Sequence, residues 1–265
     1  MTQLKVTILG CGNSTGVPAV GNYWGKCDPS EPKNRRLRSS IAVQSANTTV
    51  IVDTGPDFRE QVNRAHIERV DAVLYTHSHG DHVNGIDDLR SLRFRQKQLV
   101  PVYGNDETLD DLAKRFDYLF EGGKSPLYPP VVEAQRIEEG QYGQPITHGD
   151  IDFIPFPQDH GTCIATGYRF GDLAYSVDML TLDDFAVKVL TGIKTWIVDC
   201  ASYNDPNNTV HANIDTILKL NEKIGAGQVI LSSLSLSMDY QTLKQELPLP
   251  LIPGYDQMSI SIFQS

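Results

Sequence analysis

A chain of 265 residues, 40% of them hydrophobic, is long enough to bury a large core as one domain or two small ones. Its formal net charge of −10 speaks against a broad basic face that grips long nucleic acid, though not against a small anionic substrate beside bound cations. No apolar run approaches membrane-spanning length, the first five residues lack a signal-peptide layout, and Cys11, Cys27, Cys163 and Cys200 are scattered; a cytoplasmic protein with reduced thiols and no membrane contact is expected.

Residues 4–10, 40–44 and 49–53 read as strands, followed by a helix from Pro56 to about Ala65 with Asp57 and Glu60 at its positive end. A short buried strand is expected over 71–76, another over 100–103, and a helix with charged and apolar faces over 106–116. Residues 121–149 are rich in Gly and Pro, which suits an insertion or lid, or plain surface decoration. Strand patterns resume at 151–157, 164–170 and 173–177, then at 196–200, 229–231 and 259–263. Helical patterns lie near 182–190, 211–223 and 240–246. Strands in both halves with helices between them predict a sandwich of two sheets covered by helices, with 1–265 as a single domain.

The most informative segment is His77-Ser78-His79-Gly80-Asp81-His82, directly after an apolar run. Three of the seven histidines fall within these six positions, with a carboxylate among them. Such a donor set suits a borderline divalent ion such as Zn²⁺ or Mn²⁺, and His77 and His79 share one side of an extended loop. One segment cannot complete two coordination shells. Two later apolar runs end in further donors, His160 and Asp178, although Asp178 could instead cap a following helix.

In this order the ligand motif, His160 and Asp178 resemble the metallo-β-lactamase superfamily, and in particular its PhnP-like phosphodiesterase branch, a relative of RNase Z. The stretches 9–18, 34–40, 85–90, 238–243 and 254–258 carry the same resemblance. It implies an α/β fold, an αββα sandwich of two mainly antiparallel sheets with the metals at one edge. It also implies that His77, His79 and His160 hold one ion, that Asp81 and His82 hold a second, and that Asp178 bridges them. Asp53 matches a buried residue that orients the ligand loop; ordinary strand capping is its alternative role. His211 matches a histidine near the substrate phosphate or the leaving oxygen, unless it merely begins a helix. With Asp81 it is expected to be catalytic.

Two departures stand out. Members of this branch carry a last metal-binding His where residues 229–237 run here, and Ser233 falls at that position, leaving it a substrate-contact role. The second ion is therefore expected to be held more weakly, by Asp81, His82 and Asp178. The branch also often carries a structural zinc, but Cys27 stands alone and Leu236 replaces the His, so no structural zinc is expected.

The resemblance thus implies two divalent ions, Mn²⁺ or Zn²⁺, and hydrolysis of a small phosphodiester of the cyclic nucleotide or cyclic ribosyl phosphate type by an ion-activated water. An RNase Z-like endoribonuclease is the alternative, disfavoured by the absence of a Lys-rich arm. A non-catalytic phosphate-ligand sensor, arising from Ser233, is another. Arg35, Arg36 and Arg38 could contact an anion but three arginines near a turn are more often solvated. Tyr255 and Asp256 have no assigned role, long nucleic acid is not an expected partner, and a homodimer is an open expectation.

Overall fold

The computed structural model of the chain describes residues 2–125 and 127–264. Strands β1 (Thr2–Gly10), β2 (Ser40–Gln44) and β3 (Thr49–Val52) form an antiparallel meander. Three helical crossovers follow. α1 (Phe58–Arg64) leads to β4 (Ala72–Leu74), and the short α2 (Gly80–Val83) with α3 (Leu89–Gln96) leads to β5 (Val100–Gly104). α4 (Asp106–Arg115) and α5 (Asp117–Phe120) lead to β6 (Val132–Arg136). Each crossover brings the chain back parallel to the strand before it, which a helix-length connection permits and a tight hairpin does not.

The second half repeats this plan. β7 (Ile146–His148), β8 (Ile151–Asp159), β9 (Ile164–Phe170) and β10 (Leu173–Ser176) run antiparallel. Then α6 (Asp184–Leu190), β11 (Thr195–Asp199), α7 (Ile214–Ile224), β12 (Gln228–Ser232), α8 (Tyr240–Glu246) and β13 (Leu251–Pro253) add three parallel pairings. β14 (Ser259–Gln264) returns to pair with β1. The sheet orders are β14-β1-β2-β3-β4-β5-β6 and β13-β12-β11-β10-β9-β8-β7. Each sheet is therefore mixed, half antiparallel and half parallel, and not mainly antiparallel as expected. The cause is the helix between each pair of successive strands in the second part of each half.

Alternation along the strands builds three cores. Val50, Val52, Leu74, Tyr175, Ile197 and Ile230 point between the sheets. Their neighbours face outward: Ile51 and Val73 pack with Leu109 and Leu112 of α4, and Trp196, Val198, Val229 and Leu231 pack with Ile217, Ile224 and Leu243. The result is the expected αββα sandwich. Side-chain caps start α4 (Asn105 to Thr108 N, 2.9 Å), α6 (Asp183 to Ala186 N, 2.7 Å) and α7 (Asn213 to Thr216 N, 2.9 Å). Asp183 caps α6, so Asp178 is not spent on that task.

The 121–149 segment supplies one edge strand of each sheet, β6 and β7. No helix among the described residues is long and apolar enough to cross a membrane.

Candidate metal centre

Parallel strands that end together bring their following residues to one edge, the usual place for a site in α/β sheets. Asp53 follows β3, residues 75–82 follow β4, Asp178 follows β10, Asp199 ends β11 and Ser233 follows β12. His160 follows β8, in the same sheet as β10, β11 and β12, whereas Asp53 and residues 75–82 come from the other sheet. Asp53, Asp178 and Ser233 each adopt a left-handed backbone, with φ of 64°, 52° and 56°. That conformation costs a non-glycine residue of order 1 kcal/mol and tends to persist where the surroundings over-determine it, commonly at functional sites. The turn after β3 also needs glycine: a Cβ on Gly55 would strike the Asp81 carbonyl oxygen.

The expected ligands converge in two sets that share Asp178. Donor atoms of His77, His79, His160 and Asp178 lie within 4.8 Å of one another, as do those of Asp81, His82 and Asp178. Asp178 Oδ2 is 3.6 Å from His77 Nε2, 3.3 Å from His160 Nε2 and 3.4 Å from His82 Nε2. His82 Nε2 is also 3.3 Å from Asp81 Oδ2.

The rings are oriented from behind. His82 Nδ1 lies 2.7 Å from Asp53 Oδ2, and His160 Nδ1 donates to the Val210 carbonyl at 2.8 Å. Thr76 donates to Asp53 twice, from its backbone N–H and its hydroxyl, each at 2.8 Å; with that proton spent, its oxygen accepts from His77 Nδ1 at 2.9 Å. All three rings thus carry their proton on Nδ1 and turn Nε2 toward Asp178, the arrangement expected of metal-binding imidazoles.

Burial and charge fit a cation. His77 Nε2 is buried without a hydrogen-bond partner, a costly condition that an ion would relieve. Burial, reinforced by the neighbouring rings, holds the His77 imidazole well below its usual pKa, so it presents a lone pair. Burial would lower His82 too, but the Asp178 and Asp53 carboxylates outweigh it and raise it well above the usual range. Burial likewise opposes ionisation of Asp178, yet His82, His77 and His160 hold its carboxyl well below normal. The pocket is built around positive charge.

Thr76 and three further residues escaped the sequence reading. Asp199 is fully buried; its Oδ2 lies 2.6 Å from His211 Nδ1, and the backbone N–H groups of Met179 and Ala201 donate to it. Burial disfavours charge on His211, but the bond to Asp199 and its charge prevail and push the imidazole up to about 9. His211 therefore stands beside Asp178 as a charged donor, its Nε2 without a hydrogen bond among the described residues. The signal for Asp199 was present: like Asp53 and Asp178, it ends an apolar run. Arg115 clamps the ligand loop from α4, donating to the Ser78 carbonyl at 2.6 Å and to Asn84 Oδ1 at 2.8 Å. Ser39, the third, donates its hydroxyl proton to the Gly12 carbonyl, so Ser233, 3.2 Å away, donates to Ser39.

The arginines and the C-terminal pair also find places. Arg36 is buried, reaching the Ser235 carbonyl at 3.4 Å and Asn34 Oδ1 at 3.2 Å, so the solvated reading fails for it. Arg38 pairs with Asp57 through both carboxylate oxygens, and Arg35 lies over the Trp24 ring. Asp256 accepts from the backbone N–H groups of Leu37 and Cys11 and pairs with Arg64, which makes it a staple between loops. Tyr255 packs beside Tyr240, with the Lys33 amine over both rings.

Restoring a fourth donor at Ser233 tests the inequality of the two positions. Ser233→His is expected to tighten Zn²⁺ at the Asp81–His82 position by about tenfold or more, read as a change in the weaker step of a calorimetric metal titration. An unchanged titration with a folded variant would mean that position 233 does not face that ion.

The description "Beta-lactamase superfamily domain" belongs to the family model that matches residues 48–232. A diphosphatase of the PhnP family is 32% identical in sequence and superposes with a TM-score of 0.85, over 98% of this chain and 97% of that one. An octanoyltransferase of Porphyromonas gingivalis is 30% identical over 98% of this chain but 52% of its own length. Ribonuclease Z of Bradyrhizobium diazoefficiens is 31% identical over 48% of this chain and 46% of its own. The chain thus spans about half the length of these two curated relatives. Family match, fold and PhnP-family similarity agree, and the chain belongs to the metallo-β-lactamase superfamily, in its PhnP and RNase Z branch.

Proposed function

We propose that the protein is a phosphodiesterase for small diesters, of the cyclic nucleotide or cyclic ribosyl phosphate type, that works with two divalent ions, Mn²⁺ or Zn²⁺. The observation that carries this reading is one carboxylate, Asp178, shared by two donor sets beside a charged His211. His77, His79, His160 and Asp178 would hold one ion, and Asp81, His82 and Asp178 the other, more weakly for want of a fourth donor. Bound ions supply a nucleophilic water near neutral pH and neutralise charge on the phosphoryl oxygens.

The remaining chemistry falls to the chain. Asp53 and Thr76 fix the ring orientations, so that little reorganisation is needed as the reaction proceeds. Asp199 keeps the imidazole of His211 protonated and aims it. His211 Nε2–H then hands its proton to the departing oxygen, which would otherwise leave as a poorly stabilised alkoxide. Diphosphatase and ribonuclease, the names of two similar proteins, both denote cleavage at phosphorus. The similarity to ribonuclease Z favours an endoribonuclease as the second reading, but the net charge of −10 weighs against long RNA as the substrate.

Metal-stripped protein, reloaded separately with Mn²⁺, Zn²⁺ or Co²⁺, is expected to cleave bis(p-nitrophenyl) phosphate and to leave a chromogenic β-lactam almost untouched. No diester turnover above background with any of the three ions would overturn the enzyme reading and favour a phosphate-ligand sensor.

A further inference from the structure

Next to the first donor set lies a cavity of about 240 Å³, lined by His77, His79, Glu107, Thr162, Cys163 and Ile164 among others. Its two walls are tied together. Asn105, which caps α4 through Thr108 N, also donates from its side-chain amide to the Ile164 carbonyl at 3.3 Å, and the His160 backbone N–H closes the turn on the Cys163 carbonyl at 3.0 Å. His77 and His79 join it to the first donor set, in which His77 Nε2 is buried without a hydrogen-bond partner. The volume suits a single ring and falls short of the room a larger ligand needs. No lysine or arginine lines it, and its only carboxylate, Glu107, makes no ion pair among the described residues.

We propose that this cavity receives the sugar that carries the scissile diester, a hydroxyl-bearing ring without further charge, and that Glu107 determines specificity by accepting a ring hydroxyl and repelling a second phosphate. The assignment rests on the phosphodiesterase reading and narrows its substrate class to cyclic diesters whose sugar keeps a free hydroxyl and carries no further phosphate. A carboxylate is an acceptor for a hydroxyl, whereas a phosphate beside it meets like charge. The apolar part of the lining, Ile164 and the threonine methyls, covers the face of a ring.

Cys163 supplies a reporter, because Cys11, Cys27 and Cys200 are buried and Cys163 is only half-buried. The rate at which a maleimide labels Cys163 in the metal-loaded full chain, followed by mass spectrometry, reads occupancy without turnover. Ribose 5-phosphate is expected to slow labelling several-fold more than inorganic phosphate, which reaches the metal centre but leaves the cavity open. A sugar bisphosphate is expected to protect less than the monophosphate. Glu107→Lys should reverse that order, and Glu107→Gln should level it. Equal protection by ribose 5-phosphate and inorganic phosphate would overturn the assignment of the cavity. An order unchanged in both Glu107 variants would overturn the role of Glu107. Protection as expected, with no diester cleaved, would instead overturn the phosphodiesterase reading and leave the ring site standing.

Discussion

Replacing Asp178 by alanine is expected to cost more activity than any other single substitution at the centre. It withdraws the one oxygen common to both donor sets, leaving three imidazoles for one ion and Asp81 with His82 for the other. The Asp81–His82 position should then fail to hold metal through dialysis. Diester turnover should fall further than in His211→Ala, where loss of a proton donor is worth about 10²–10⁴-fold. His211→Ala should keep both ions, since neither proposed set includes it. Elemental analysis after dialysis, alongside diester turnover, separates the two variants. Asp178→Ala protein that retains two ions and near-normal rates would show that Asp178 does not bridge them.

The second large effect is expected at Asp53. Its carboxylate is fully buried and serves His82 Nδ1 together with the N–H and hydroxyl of Thr76. Asp53→Ala strands all three groups, and breaking a buried charged network by removing one partner costs about 3–5 kcal/mol. It should also weaken metal binding by about 10–100-fold, the usual consequence of removing the group that orients a ligand ring. Asp53→Asn is the sharper probe. An amide retains the shape but offers only one acceptor oxygen to donors that now approach both positions, which favours a His82 proton on Nε2, the ligand atom. Stability should fall less than in Asp53→Ala while metal affinity falls comparably. Urea denaturation of chelated protein and metal calorimetry read the two effects separately. A variant that is destabilised but binds metal normally would reduce Asp53 to a strand cap.

What was legible beforehand was whatever local pattern encodes. The ligand motif after β4 and the apolar runs ending in His160 and Asp178 are short-range signals, and they located both donor sets. Ile164–Phe170 and Tyr240–Glu246 were bounded correctly because turn and cap residues flank them. β6 was missed because most of Val132–Arg136 faces solvent, as an edge strand can, so no apolar alternation marks it. β13 is three residues set among prolines. α3 carries only Leu89 and Leu92 to the core amid arginines, which left its amphipathic stripe faint. Strand direction was also invisible, because it depends on how each helix returns the chain to the sheet. Contacts such as Ser39 with Ser233, 194 residues apart, exist only once the sheets have packed. Asp199 had the same strand-ending pattern as Asp53, but the partner that gives it meaning, His211, lies across a loop.

The central claim is that two unequal ions around Asp178 make the protein a phosphodiesterase. Metal titration of the stripped protein by calorimetry, with bis(p-nitrophenyl) phosphate turnover followed on the same samples, tests it most directly. Two binding steps are predicted, a tight one and a weaker one, with turnover rising along the second. A single step, two equally tight steps, or turnover that is indifferent to metal loading would contradict the account.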